Sequence, residues 1–251
     1  MARGGPHGGT GEAALVICAH GASGGSETAR AQARAIAARM IDEGGRFATT
    51  AACCVHGAPG LAETLAALDA PRVILVPLLM ADGHTARALR WALDAIGDPR
   101  LLLAPPLGLS PRLPPLIESL AREGRRARGW AARETALVLV GHGSRRVTGS
   151  GIAARGLAGA LAARGAFAPV AAAFLQGPPG IETVLSGLAA PRALVVGLFA
   201  DRGAHGARDI PERLAGFGER AAYLGPVGAV PEIAEIIAAE ATAALKKAGW
   251  G

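Results

Sequence analysis

Five histidines are the residues of this 251-residue chain best suited to metal and proton chemistry: His20, His56, His84, His142 and His205. Imidazole is the commonest side-chain ligand for Zn, Cu, Fe and Ni, and in its neutral form it also accepts a proton near pH 7. Each of the five falls at or just after the C-terminal end of a segment that reads as a buried strand: 13–19, 47–55, 72–80, 135–141 and 192–199. The sixth, His7, lies in a Gly-rich N-terminal tail. In open α/β sheets, ligands bind outside the carboxyl ends of the strands, so the five converge on one kind of edge. They also recur in pairs, His20 with His84 and His142 with His205, at separations of 64 and 63 residues. Glycines flank them, in His20-Gly21, Gly83-His84, His142-Gly143 and Gly203-Ala204-His205. Glycine there serves either an ordinary βα turn or the close approach of a ligand to the backbone. The three cysteines, Cys18, Cys53 and Cys54, have neither disulfide nor zinc-cage spacing. Two or three histidines at a cleft mouth suit an open, transient metal site.

The elements that must position these residues come in two copies. Ala14-Leu15-Val16-Ile17-Cys18-Ala19-His20-Gly21 resembles Ala136-Leu137-Val138-Leu139-Val140-Gly141-His142-Gly143, and Pro59-Gly60-Leu61 resembles Pro179-Gly180-Ile181. Pro71-Arg72-Val73 matches Pro191-Arg192-Ala193, and Pro106, Gly108, Pro111 and Ile117 match Pro226, Gly228, Pro231 and Ile237. The offset is 120 to 122 residues throughout. Four matched blocks in one order mark an internal duplication. Within the first copy, short apolar runs (13–19, 47–55, 72–80, 100–104) alternate with helical segments (26–43, 60–68, 84–96, 111–127). Ser26 is placed to cap the first helix and Gly44-Gly45 to end it. Alternating β and α segments imply a parallel sheet with helices on both faces. The expectation is therefore an α/β protein of two tandem, doubly wound half-domains, 13–127 and 135–248. A linker is predicted at 125–134, where the dense arginine run Arg122 to Arg133 reads as a solvated connection.

The composition narrows the partners. The formal charge of +6 is almost entirely arginine, with Lys246 and Lys247 the only lysines. A basic chain favours an acidic ligand, but the arginines are scattered and aromatic side chains are too few for base stacking, which argues against nucleic acid. Residues 1–12 lack the apolar core of a signal peptide, and no stretch reaches the ~18 apolar residues of a spanning helix. A cytoplasmic protein with no membrane partner is expected, its cysteines buried in strands. No phosphate-binding Gly-x-x-x-x-Gly-Lys-Ser/Thr loop and no Gly-x-Ser-x-Gly elbow occur, which disfavours an NTPase or a serine hydrolase.

Gly141-His142-Gly143-Ser144-Arg145 resembles the opening signature of the CbiX/SirB-type sirohydrochlorin chelatases. Phe174-Leu175-Gln176 with Pro179 is similar to their Phe-Leu-Glu segment, and Gly203-Ala204-His205 with Asp209-Ile210-Pro211 to their Gly-x-His…Asp-Ile-Pro element. The first half carries the plan in weaker form, with His20-Gly21-Ala22, His56 and Gly83-His84. The resemblance implies two similar lobes around a cleft and insertion of a divalent metal (Co2+ or Fe2+) into sirohydrochlorin, a lyase reaction of cobalamin or sirohaem synthesis. The metal is substrate, and no permanently bound cofactor is implied. It assigns His20 and His84 as the primary pair and His142 and His205 as the matching pair; His56, which stands where the family has a carboxylate, is a candidate proton acceptor because imidazole is a base near neutral pH. Arg87, Arg145, Arg146, Arg202 and Arg208 flank these motifs and are candidates for pairing with the carboxylates of the tetrapyrrole. The family glutamate is replaced in both halves, by His56 and by Gln176. Glu63 and Asp82 are the nearby acidic alternatives in the first half. The loss leaves two outcomes open, turnover with a substitute base or a metal or tetrapyrrole carrier without turnover. Neither the metal, the working lobe nor the oligomeric state is decided by the sequence.

Overall fold

A computed structural model of the chain describes residues 12–21, 27–42, 47–144 and 151–250. The elements run in chain order β1 (Ala13–Ala19), α1 (Glu27–Asp42), β2 (Thr49–Cys54), α2 (Leu61–Ala66), β3 (Arg72–Leu78), α3 (His84–Ile96), β4 (Leu101–Leu103) and α4 (Leu113–Ala127). The second series is β5 (Thr135–Gly143), α5 (Ile152–Ala163), β6 (Val170–Gln176), α6 (Ile181–Gly187), β7 (Arg192–Gly197), α7 (Ile210–Leu214), β8 (Ala221–Pro226) and α8 (Ile233–Lys247). The helix expected at 26–43 is present; the cap Ser26 and the stop Gly44-Gly45 lie outside the described residues.

Two four-stranded parallel sheets result, ordered β2-β1-β3-β4 and β6-β5-β7-β8. The reason is in the strand sequences. All seven residues of β1 are buried, as a central strand covered on both faces must be, and the run Ala13 to Ala19 supplies no polar side chain. Cys18, Cys53 and Cys54 are buried free thiols, as the sequence predicts. Cys18 lies opposite Cys53 in register, with the sulfurs 3.4 Å apart. That hydrogen bond and burial push the Cys18 thiol well above the usual range.

The strand order creates a switch point in each sheet. From β1 the chain crosses to β2 on one side and then to β3 on the other, so a crevice opens between the carboxyl ends of β1 and β3. The same crevice lies between β5 and β7. His20 follows β1 and His84 starts the helix after β3; His142 closes β5 and His205 begins the turn after β7.

The packing units cross the boundary between the repeats. One compact unit holds the chain up to Ser110 together with Pro231 onward, and the other holds Pro111–Val230. The last helix of each repeat is therefore exchanged, α8 packing on β3 and β4, and α4 on β7 and β8. Matching buried faces make this possible: Leu113, Ile117 and Ala121 of α4 stand 120 residues before Ile233, Ile237 and Ala241 of α8, and all six are buried. A tryptophan comes after each helix. Trp250 lies against Arg72 with its carbonyl accepting from that guanidinium, and Trp130 lies against Arg192.

The linker at 125–134 is corrected in part. Residues 125–127 complete α4, and a short 3-10 turn occupies Ala132–Glu134. Three arginines of the run have local partners: Arg122 binds Glu118 one turn back, Arg125 the Trp130 carbonyl and Arg128 the Gly124 carbonyl. Glu118, only 8% exposed, also binds Arg164 of α5, which ties the exchanged α4 to its second-unit neighbour.

Candidate active site

In the second unit, His142 and His205 meet. Their ring centroids are 4.9 Å apart and the planes cross at 74°. The Nδ1 of His142 is 2.9 Å from the Gly143 carbonyl, and the Nδ1 of His205 is 2.6 Å from the Asp209 carboxylate. A carbonyl and a carboxylate only accept, so both Nδ1 atoms carry hydrogen, and in the neutral form of each ring Nε2 is the lone pair. That is the tautomer of a ligating histidine held by an outer carboxylate or carbonyl. The hydrogen bond from His205, with a second from Arg208, holds the Asp209 carboxyl below its ordinary range.

A cleft of about 500 Å³ opens beside this pair, lined by Leu175, Gln176, His205, Asp209, Glu212 and Arg213. The residue matching the family glutamate, Gln176, is there as an amide, but two carboxylates from the next helical segment line the same cleft. Sequence reasoning missed Glu212 and Arg213. The detectable signal was their helical spacing from His205. Arg213 is fixed by Glu182 at 3.1 Å and by the Leu175 carbonyl.

One inserted residue builds this arrangement. Counted from the matching glycines Gly83 and Gly203, the second unit contains an extra Ala204 before its histidine. The segment His205–Asp209 is a π-helix, and the Ile210 N–H bonds to the His205 carbonyl five residues back. A π-turn absorbs one extra residue without displacing the helix beyond it. Ile210 and Leu214 accordingly stay in the core at the positions of Leu89 and Leu93.

The first unit lacks the insertion, and its contacts differ. The second residue after Gly83 is Thr85, and its hydroxyl lies 2.8 Å from the Nδ1 of His20. His84 stands one position earlier, and its Nδ1 is 3.1 Å from an Arg87 guanidinium nitrogen. His20 instead faces His56, with centroids 5.3 Å apart at 75°. The backbone forces that second pairing. Gly21 has φ +83° and Gly143 φ +69°, and a Cβ on them would lie 1.8 Å from the His56 carbonyl and 2.0 Å from the Gln176 carbonyl. Neither of the two readings of these glycines, an ordinary turn or the approach of a ligand, named this contact: Gly21 and Gly143 each lie against the backbone of the chain itself, at His56 and Gln176.

The remaining candidates occupy varied positions. Arg208 reaches Asp209 at 3.4 Å, Arg202 is exposed in the loop after β7, and Arg145 and Arg146 lie outside the described residues. Asp82 is taken up by an ion pair with Arg90, and Glu63 reaches back to the Gly60 N–H at the start of α2. Among the described residues, no three His, Cys, Asp or Glu side chains assemble into a preformed metal cage. No helix among them is long and apolar enough to cross a membrane.

The sequence model of the CbiX family matches residues 14–124 and 136–244, nearly the whole chain and both repeats. The chain belongs to the CbiX family. Among solved structures, it is similar to CbiX described as the terminal enzyme of sirohaem biosynthesis in denitrifying bacteria, with 27% identity, a TM-score of 0.69, and coverage of 92% of this chain and 99% of that one. SirB of Bacillus subtilis, solved with Fe3+, aligns at 16% identity and a TM-score of 0.68 over 95% of this chain and 98% of its own. A multi-domain Deinococcus radiodurans protein similar to chelatases aligns at 22% identity with a TM-score of 0.73, over 92% of this chain and 55% of that one. No curated protein sequence matches the chain. The two parallel sheets and their internal duplication are thus the CbiX fold.

Proposed function

We propose that this chain inserts a divalent metal ion, Co2+ or Fe2+, into sirohydrochlorin, in sirohaem or cobalamin biosynthesis. Its full-length likeness to a CbiX of sirohaem synthesis supports the reaction. The observation that carries the assignment of residues is the His142–His205 pair, with both Nδ1 atoms committed to acceptors beside an open cleft.

Two neutral imidazoles hold an incoming ion through Nε2, loosely enough to give it up, because no third or fourth protein ligand among the described residues closes the site. Insertion transfers the ion to the pyrrole nitrogens and releases two pyrrole protons. The two imidazoles vacated by the ion can take those protons, so charge and atoms balance without the missing family glutamate. Asp209 favours this step, since a carboxylate on Nδ1 stabilises the imidazolium that forms. Glu212 in the cleft provides a further acceptor. In the first unit, His20 and His56 form a second imidazole pair, while His84 is engaged by Arg87 and is less suited to bind an ion.

The test is an anaerobic absorbance assay with metal-free sirohydrochlorin and Co2+ or Fe2+. Multiple turnovers above the spontaneous rate are expected, with His142→Ala and His205→Ala each slowed more than about tenfold and His84→Ala less affected. Equal losses for His20→Ala and His84→Ala, with normal rates for the second-unit variants, would move the working site to the first unit. The replacement of glutamate by His56 and Gln176 supports one second reading, a carrier; a spectral change that stops at one equivalent would establish it.

A further inference from the structure

At the end of the first strand of each unit, a histidine is tied down through Nδ1, but by different groups. In the second unit, His142 donates through Nδ1 to the Gly143 carbonyl at 2.9 Å. In the first unit, the Nδ1 of His20 lies 2.8 Å from the Thr85 hydroxyl, 65 residues further along the chain. Thr85 is the second residue of α3 and is half-buried. Among the described residues, its hydroxyl bonds no group but this imidazole.

Other threonines of the chain behave differently. The hydroxyls of Thr50, Thr64, Thr135 and Thr242 donate to main-chain carbonyls, the last three to the carbonyl four residues back. That local bond is the usual resort of a threonine in or beside a helix. In the first turn of α3 no helical carbonyl lies four residues back, so the Thr85 side chain crosses to the end of β1 instead. A hydroxyl can donate or accept, whereas the Gly143 carbonyl only accepts. His20 and His142 hold equivalent places in the duplication and are anchored through the same nitrogen. With the Thr85 oxygen as acceptor, His20 takes the tautomer of His142, with hydrogen on Nδ1 and, in the neutral ring, the lone pair on Nε2. In that form an imidazole ligates a metal while an outer group holds its other nitrogen.

We infer that Thr85 is the positioning residue of His20: its oxygen accepts the Nδ1 hydrogen and holds the ring in the tautomer and orientation that ligate a metal. His20 belongs to the pair that the chelatase resemblance assigns to the metal, so Thr85 sets the ion affinity of the first unit without touching the ion. This role rests on the metal chemistry proposed for the chain, not on which unit turns over. The duplication accounts for a hydroxyl at this place. Counted from Gly83 and Gly203, Thr85 and His205 are the same position. That position supplies an imidazole in the second unit and the group that orients one in the first.

The test uses the full chain carrying His142→Ala and His205→Ala, which leaves the first unit as the metal site measured. Thr85→Val keeps the shape and the β-branch, and valine's helix propensity is close to threonine's, so the melting temperature should not change. Calorimetric titration with Co2+ should show an affinity about 10–100-fold lower, the cost of losing an outer-shell partner. Thr85→Ser, which keeps the hydroxyl, should restore most of it. Nitrogen NMR of histidine-labelled, metal-free protein, at a pH where the rings are neutral, reads the tautomer directly. His20 should carry its hydrogen on Nδ1, and Thr85→Val should lower that population. Unchanged Co2+ affinity in Thr85→Val, equal losses in Thr85→Val and Thr85→Ser, or a His20 hydrogen on Nε2 with Thr85 in place would each overturn the role. So would a first unit that binds no Co2+. Failure of the proposed function is read separately, as an absence of turnover with sirohydrochlorin in the unaltered chain, and leaves the metal-free NMR result standing.

Discussion

Deleting Ala204 would test the role of the π-turn directly. Without that residue, the chain from Gly203 to Ile210 has the length of Gly83 to Leu89, which α3 spans as ordinary α-helix. The π-turn should then relax to α, and His205 should move from the position of Thr85 to that of His84. One residue along an α-helix is about 100° of rotation and 1.5 Å of rise, and side-chain tips lie about 5–6 Å from the axis, so the imidazole is displaced by about 8 Å. Its present centroid separation from His142 is 4.9 Å. Two imidazoles sharing one ion need metal–nitrogen distances near 2.0–2.1 Å, and a shift of that size abolishes the pair. Changing an outer-shell partner of a metal site alone costs about 10–100-fold in affinity, so removal of a ligand should cost at least about 100-fold. The assay is a calorimetric Co2+ titration of the deletion variant in a His20→Ala, His56→Ala, His84→Ala background, which leaves the second-unit pair as the site measured. Circular dichroism should show the helices retained, because Ile210 and Leu214 keep their core positions. An unchanged Co2+ affinity in a folded deletion variant would refute the argument that the insertion creates the site.

Two buried polar groups give further expected outcomes. Glu118 is held below the usual carboxylate range by Arg164 first and Arg122 second. Between its lowered folded value and its unfolded value, the unfolded state binds more protons, so its contribution to stability is present above about pH 4.3 and is lost as pH falls through the folded value. Glu118→Gln should therefore flatten the fall of the melting temperature below about pH 4.3, and Glu118→Ala should cost about 1–3 kcal/mol in urea unfolding; an acid limb as steep as wild type would contradict the ion-pair account. The Tyr223 hydroxyl is buried without a hydrogen-bond partner among the described residues, and burial pushes its pKa up to about 12. Tyr223→Phe should be neutral or stabilising by up to about 1 kcal/mol, since it removes an unpaired polar atom; a loss of more than about 1 kcal/mol would show that the hydroxyl is paired in solution.

The duplication, the alternation of strands and helices and the placing of five histidines at strand ends were all legible in the chain. Each rests on local pattern: a short apolar run such as Ala13 to Ala19, too short for a typical helix, reads as a strand covered on both faces, and a repeat at a nearly constant offset is a property of the sequence alone. The start of α3 at His84 and its end at Ile96 were legible for the same reason, since Gly83 and Gly97 bracket an amphipathic segment. The exchange of α4 and α8 was not legible, because their buried faces are nearly the same sequence and either would fit either sheet. Tertiary contacts decide it, among them those of Trp130 with Arg192, of Trp250 with Arg72 and of Glu118 with Arg164. The site shows the same division. Residue types and spacing determined that imidazoles gather at the switch points, and they implied equivalent pairs, His20 with His84 and His142 with His205. Which rings meet was decided by a single inserted residue. In a helix, one position is a rotation of about 100°, so Ala204 turns His205 toward His142, while in the uninterrupted α3 Thr85 takes that place and leaves His20 to His56.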